Sequence, residues 1–372
     1  HQHDGPDTMG IWGGTNLETG YDPEYIAVVR QKVVQALGKA KQGAKPSTFK
    51  VGLTSAPEFI NDTRLPIVID QALHGLHFVD EAGAPITTVV FWGNHPEALG
   101  SGSTLLTSDF PHYTREKLEA HYPGSVAVYV SGIMGGLMTT IGLNICPDSE
   151  GNDTCPQGTF ERAKVVGDGV ADALIKSLES PDVPSVTDGT LGLRRYPFFL
   201  KTTNPIFSLG LTLGILTRRV YEVETETRIE GPDLMEIGYA DILEGKVKFD
   251  TEVNHLKVGP VEILTVPGEL YPELWLEKED GQTYIERPDG ADFPDAPFET
   301  PLQSLLGDDS FKIIVNQGND SVGYIMPKAQ YDAARPRAYE EDGQYGEENS
   351  IGADVAPTLL ENILKMFELK AD

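Results

Sequence analysis

"VVFWGNHPEALGSGSTLLTSDF", residues 89–110, runs apolar from Val89 to Trp92 and then breaks on Gly93, Asn94, His95 and Pro96. A short β-rich apolar run closed by glycine and proline reads as a buried strand, because proline donates no hydrogen bond and cannot extend the ladder. The strand then delivers His95 out of the sheet at its end, with Gly93 allowing the bend. The loop beyond it, with Gly100, Ser101, Gly102 and Ser103, reads as the lining of a substrate entrance. Ser108 or Asp109 caps a helix over "TSDFPHYTREKLEAHY".

The same kind of run recurs along the chain: "FKVGLTS", "LHGLHFVD", "TTVVFW", "SVAVYVSG", "VEILTVPG" and "FKIIVNQG", several ending in glycine and a polar residue. Between them, residues 22–40 place Ile26, Val29, Val33 and Leu37 at helical spacing behind an Asp22 cap and Pro23. That pattern predicts an amphipathic helix packed on a core. Residues 158–179 repeat it with Ala163, Val166, Val170 and Leu174. Residues 222–254 read as a meander of polar-faced strands, and 277–300 as a Pro/Asp-rich surface loop. The mixture predicts the α/β (α+β) class: one large layered domain over 1–372, with central mixed β-sheets flanked by helices.

Composition narrows function. With 29 basic against 57 acidic residues the net charge is -28, which repels nucleic-acid phosphates and argues against DNA or RNA as a partner. The longest apolar stretch, residues 206–219, is interrupted by Gly210 and Gly214, so no membrane span is expected. Cys146 and Cys155 bracket the polar turn "PDSEGNDT", a spacing suited to a disulfide and to a secreted or periplasmic setting. The chain opens at His1 without a methionine or a leader, as a processed or trimmed product does.

Strand ends deliver a set of metal-type side chains. His1 and His3 lie two apart, on one side of an extended segment; His95 follows, then Glu269 after a Pro-Gly turn in "LTVPGELYP", then Tyr324 in "IVNQGNDSVGY". Histidines, one carboxylate and a phenol, with room for water, are the donor set of a catalytic rather than a closed structural zinc site. His74 and His77 fall on opposite faces of their strand and read as structural, while His112, His121 and His255 read as surface residues.

"HQHDGP", "GNHPEALGSGSTLLTSDF", "VPGE" and "GNDSVGYIMPKAQYD" occur in the order and at the spacing of the motifs of one family, over nearly the whole chain. The chain resembles the catalytic domain of the neutral/alkaline (non-lysosomal) ceramidase superfamily. That family has a His-x-His-Ser-Gly-Pro motif, a strand ending in His-Pro, a Pro-Gly-Glu turn and a Gly-x-x-Asn segment before a tyrosine. The resemblance implies that His1, His95, Glu269 and Tyr324 bind one Zn2+. It places His3 beside the metal, facing the substrate carbonyl, and gives Arg64 in "NDTRLP" a substrate contact. It also implies an upstream strand-helix segment and a C-terminal β-domain that this chain lacks, with the upstream segment a possible associating partner.

One departure bears on substrate. Where ceramidases carry Gly-Asp-Val-Ser-Pro-Asn with a functional serine, this chain reads "GIMGGLMTT", with Met138 in the serine's place and Thr139 and Thr140 beside it. The first expectation is a zinc-dependent hydrolase of an amide or ester bond using a metal-activated water, acting on a small or lipid-like substrate. The second is a non-catalytic metal- or ligand-binding member of the same fold. A third, in which His1 as a mature N-terminus chelates copper, fits the long match less well.

Overall fold

A computed structural model of the chain describes residues 1–15 and 18–368. The first half forms α1 (Pro23–Gln42), β1 (Ser47–Ser55), β2 (Asn61–Asp62), β3 (Ala72–Asp80), β4 (Pro85–Trp92), α2 (Phe110–His121), β5 (Val126–Ser131), β6 (Met138–Thr139) and α3 (Phe160–Leu178). Its four longer strands make a mixed sheet in the order β1-β3-β4-β5, antiparallel except between β4 and β5. A parallel pair needs a crossover, and α2 supplies it.

The second half forms β7 (Leu191–Leu200), α4 (Pro205–Thr212), β8 (Val220–Glu222), β9 (Arg228–Ile229), α5 (Pro232–Glu236), α6 (Tyr239–Leu243), β10 (Val247–Val258), β11 (Val261–Thr265), β12 (Glu269–Leu270), α7 (Pro272–Trp275), β13 (Phe311–Val315), β14 (Tyr324–Ile325) and α8 (Val355–Glu368). β10 is the spine of this second sheet. β7 runs along one of its edges, β8 and β11 share the other, and β13 joins β11 in parallel.

Strand alternation explains how the layers stack. Phe49 and Val51 of β1 join Leu76 and Phe91 in one apolar cluster with Val261, Ile263 and Ile313 of the second sheet, so the two sheets meet face to face. The other face of the first sheet carries the cross-strand pair Gly52 and Gly75, and α3 sits there. A Cβ on Gly75 would stand 2.5 Å from Leu174 Cδ1, so this close seat requires glycine. The helix seals a core that includes Trp92, Phe110, Val170 and Leu174.

All six strand-like runs are strands, the first two helices start at the expected caps, and the third starts at Thr159. Asp22 accepts from the Glu24 and Tyr25 N–H groups, Asp109 from Phe110, and Thr159 from Arg162. Residues 277–300 carry no helix or named strand. Cys146 and Cys155 form a disulfide.

Three expectations need correction. α1 is not packed on a core: it has no buried residue, and Val33 and Leu37 are 51% and 65% exposed. Periodicity defines an apolar face but not a partner: Ile26 and Val29 are half-buried, while the rest of the face lies open. Residues 222–254 are not a simple meander, because a β8–β9 hairpin is followed by α5 and α6 before the long strand β10. His255 is not a surface residue. It is buried in β10, with Nε2 2.8 Å from a Glu262 carboxylate oxygen and its ring against Phe367.

His74 and His77 are buried in β3, His77 with its Nδ1 2.8 Å from the Thr88 hydroxyl. Burial lowers the His74 pKa to about 4. In the unfolded chain the ring titrates near 6.5, so on acidification the unfolded state takes up a proton that the folded state refuses. Stability is therefore intact above pH 6.5 and is lost as pH falls from 6.5 to 4, by about 3 kcal/mol. Chemical denaturation across that window should show the slope, and His74→Phe should flatten it; an equal slope in the variant excludes His74 as its source.

Candidate metal centre

The centre is assembled where the two halves of the chain meet. β4 ends at Trp92 and Gly93 turns the backbone against Ile133, so closely that a Cβ there would lie 2.2 Å from the Ile133 carbonyl oxygen. The turn throws His95 inward, and Met138 of β6 then fixes it twice: its carbonyl oxygen accepts from the His95 backbone N–H at 2.9 Å and from Nδ1 at 2.8 Å. Because a carbonyl only accepts, Nδ1 carries a proton, and the other ring nitrogen, Nε2, points into the site.

Glu269 arrives from the other half. It opens β12, which pairs in parallel with β14 so that Glu269 and Tyr324 stand in register. The carboxylate lies 3.1 Å from His95 Nε2 through Oε2 and accepts from Gln317 Nε2 at 3.1 Å through Oε1. The Tyr324 hydroxyl bonds to the same carboxylate; burial first, then the Glu269 charge, pushes its pKa well above the ordinary tyrosine value, so the phenol keeps its proton. Burial opposes protonation of His95, yet the Glu269 hydrogen bond and charge hold its pKa above the usual histidine value.

The first motif closes the group. His1 donates from Nδ1 to Gln317 Oε1 at 3.1 Å, and its Nε2 stands 3.0 Å from His3 Nε2. His1, His3 and His95 each bring a ring nitrogen within 4.8 Å of the others. The pocket is graded: His95 is 2% exposed, while the His1 and His3 side chains are 16% and 38% exposed. Burial and then the neighbouring His95 lower the His3 pKa to about 4, so its ring is neutral at neutral pH.

These donors fit a divalent metal. With Nδ1 held by an oxygen in both rings, His1 Nε2 faces His3 Nε2 and His95 Nε2 faces the Glu269 carboxylate, an arrangement of close donor atoms that a shared cation resolves. Two imidazole nitrogens 3.0 Å apart can both reach one ion at Zn–N distances of about 2.0–2.1 Å. The second group of metal-type side chains, Cys146, Asp153 and Cys155, has its sulfurs in the disulfide and its aspartate on Arg162.

The structure thus brings together His1, His3, His95, Glu269 and Tyr324. Arg64 lies further back, 2% exposed, bonded to Glu347 at 2.7 Å and stacked 5.2 Å from the Tyr271 ring, which itself contacts Tyr324. Met138 buries its side chain completely and offers the site its carbonyl. Asn94 donates to the Phe59 carbonyl and Asp4 bonds Ser103, so each braces a loop, while ring orientation falls to Met138 and Gln317.

Gln317 and Glu97 were not read from the sequence. Gln317 follows the end of β13 as His95 follows β4, a signal the strand-end rule already contained. Glu97, two residues after His95, brings a carboxylate oxygen to 3.4 Å from His3 Nδ1.

Against solved structures, the whole chain superimposes on 61% of a neutral ceramidase from Pseudomonas aeruginosa with a TM-score of 0.65 at 15% identity. The chain has the neutral ceramidase fold. A ceramidase complexed with C2 gives a TM-score of 0.64 at 14% identity, covering 98% of this chain and 60% of that one. The chain therefore spans about three fifths of the length of the ceramidase chains it matches. No family model and no curated protein matches. At these identities the likeness is one of fold, and the fold class expected above, mixed sheets flanked by helices, is the one found. Among the described residues no helix is long and apolar enough to cross a membrane.

Proposed function

We propose that the chain is the catalytic domain of a zinc-dependent hydrolase of amide or ester bonds, acting on a lipid-like substrate, in a secreted or periplasmic setting. The observation that carries this reading is the grouping of ring nitrogens of His1, His3 and His95 within 4.8 Å of one another, with the Glu269 carboxylate 3.1 Å from His95 Nε2. His1, His95, Glu269 and Tyr324 are the donors. A bound zinc supplies Lewis acidity toward a carbonyl and lowers the pKa of water.

The chain's own groups do the rest. Glu269 takes a proton from the attacking water, being held on both sides by His95 and Gln317. Tyr324 keeps its proton, donates it to Glu269 in a hydrogen bond, and so leaves its oxygen lone pair for the metal. The ceramidase resemblance would have His3, on the open side, face the substrate carbonyl. Arg64, the substrate contact of the resemblance, is enclosed behind Tyr271 with Nε and Nη1 unpartnered and reaches the site through Tyr271 and Glu347. A cavity of about 530 Å³ lined by Met9, Phe207, Leu211, Leu216 and Phe249 also includes Gln317, the residue that touches His1 and Glu269. Arg30, Arg218, Asp250 and Asp320 also line it, so the cavity suits a substrate that carries polar groups beside an apolar part.

One observation favours the second reading, a non-catalytic binding member of the fold: the buried Met138 side chain where the family has a hydroxyl. Metal analysis with hydrolysis of N-acyl and ester substrates, before and after chelation, separates the two. About one zinc per chain with turnover that chelation abolishes and zinc restores is expected. Stoichiometric zinc without turnover supports binding alone, and absence of bound zinc overturns the metal reading.

A further inference from the structure

His3 has a neighbour that the ceramidase motifs do not supply. Glu97 is carried on the tight turn after His95, where its backbone N–H donates to the His95 carbonyl at 2.9 Å and its carbonyl accepts from Gly100 at 2.8 Å. The Thr139 hydroxyl, from the strand that also anchors His95, bonds the Glu97 carboxylate. That carboxylate is 16% exposed and stands 3.4 Å from His3 Nδ1, while the opposite nitrogen of the ring, Nε2, stands 3.0 Å from His1 Nε2. The carboxylate is thus fixed by the same turn and strand that fix His95, and it faces the side of His3 remote from the cluster.

We propose that Glu97 is a positioning residue that holds His3 with its proton on Nδ1 and so makes His3 Nε2 a donor to the metal beside His1 and His95. The proposal rests on the metal reading above. It replaces the substrate-facing role of His3 in this chain. The physical reason is that an acid behind an imidazole fixes both tautomer and ring orientation and raises the basicity of the far nitrogen. At 3.4 Å the pair is a close contact rather than a full hydrogen bond, and a cation on Nε2 would strengthen Nδ1–H as a donor. His95 and His1 already show the same plan, each with Nδ1 held by an oxygen, from Met138 and Gln317.

Zinc affinity by competition with a chromophoric chelator, and the visible spectrum of the cobalt-substituted chain, test this without reference to activity. Glu97→Gln should weaken zinc binding about 10–100-fold and change the cobalt spectrum, with partial recovery in Glu97→Asp. His3→Ala should weaken binding at least as much, and adding Glu97→Gln to it should then cost nothing more. Unchanged affinity and spectrum in Glu97→Gln overturns the proposal, as does a Glu97→Gln loss that persists in full in the His3→Ala background. If His95→Ala also keeps full affinity, it is the metal reading itself that has failed.

Discussion

Replacing His95 with alanine is expected to remove bound zinc and, with it, all hydrolysis above background. Of the three imidazoles, His95 is the most buried, and both its ring nitrogens are committed: Nδ1 to the Met138 carbonyl and Nε2 to the centre of the site. A supporting group that only orients a ligand costs about 10–100-fold in metal affinity when lost, and removal of the ligand itself costs more. The neighbouring residues cannot compensate, because His74 and His77 lie inside β3 and His255 is paired with Glu262. Zinc content after dialysis, measured beside circular dichroism of the same sample, reads the result. A folded His95→Ala variant that retains one zinc would remove His95 from the centre and with it the reading built on the strand end.

How far the site could be read in advance follows from what fixes each residue. His95, Glu269 and Tyr324 sit at strand ends marked by Gly-Asn-His-Pro, Pro-Gly-Glu and Gly-Tyr, where local punctuation reports that the ladder stops. Glycine and proline act through the chain's own backbone, so their message survives without knowledge of the fold. Gln317 shares the strand-end mark but not the identity of its partners, and Glu97 carries no mark of its own; they matter because β13 lies beside β11 and because the first motif folds back over the turn after β4. Partnership across 316 residues, as between His1 and Gln317, is set by tertiary packing. The same division explains α1 and His255. Spacing gave the helix and its cap correctly but not what lies against it, while a histidine in a polar strand looked exposed until Glu262 and Phe367 came to cover it.

Arg64→Leu is expected to cost about 3–5 kcal/mol of folding stability, because it leaves the Glu347 carboxylate buried without its partner. The guanidinium bonds Glu347 at 2.7 Å and lies over Tyr271, and both charged side chains are almost wholly enclosed, at 2% and 7% exposure. Burial already pushes the Glu347 carboxyl above its ordinary pKa, with Arg64 pulling it back. Without Arg64 the folded state would hold that proton to still higher pH, whereas the unfolded chain releases it near 4.5. The unfolded state then binds fewer protons through that window, so the variant's deficit should grow as pH rises and shrink in acid. Pairing the change with Glu347→Met removes the stranded charge and should recover most of the loss, since apolar replacement of a buried ion pair is close to neutral. Urea titrations of both variants at pH 5 and pH 8 decide it. A single variant as stable as the parent, or a double variant no better than the single, would show that the pair does not brace the wall behind Tyr271 and Tyr324. If the double variant folds as well as the parent but hydrolyses poorly, the unpartnered Arg64 Nε and Nη1 are serving substrate, and stability and catalysis at this position are separable.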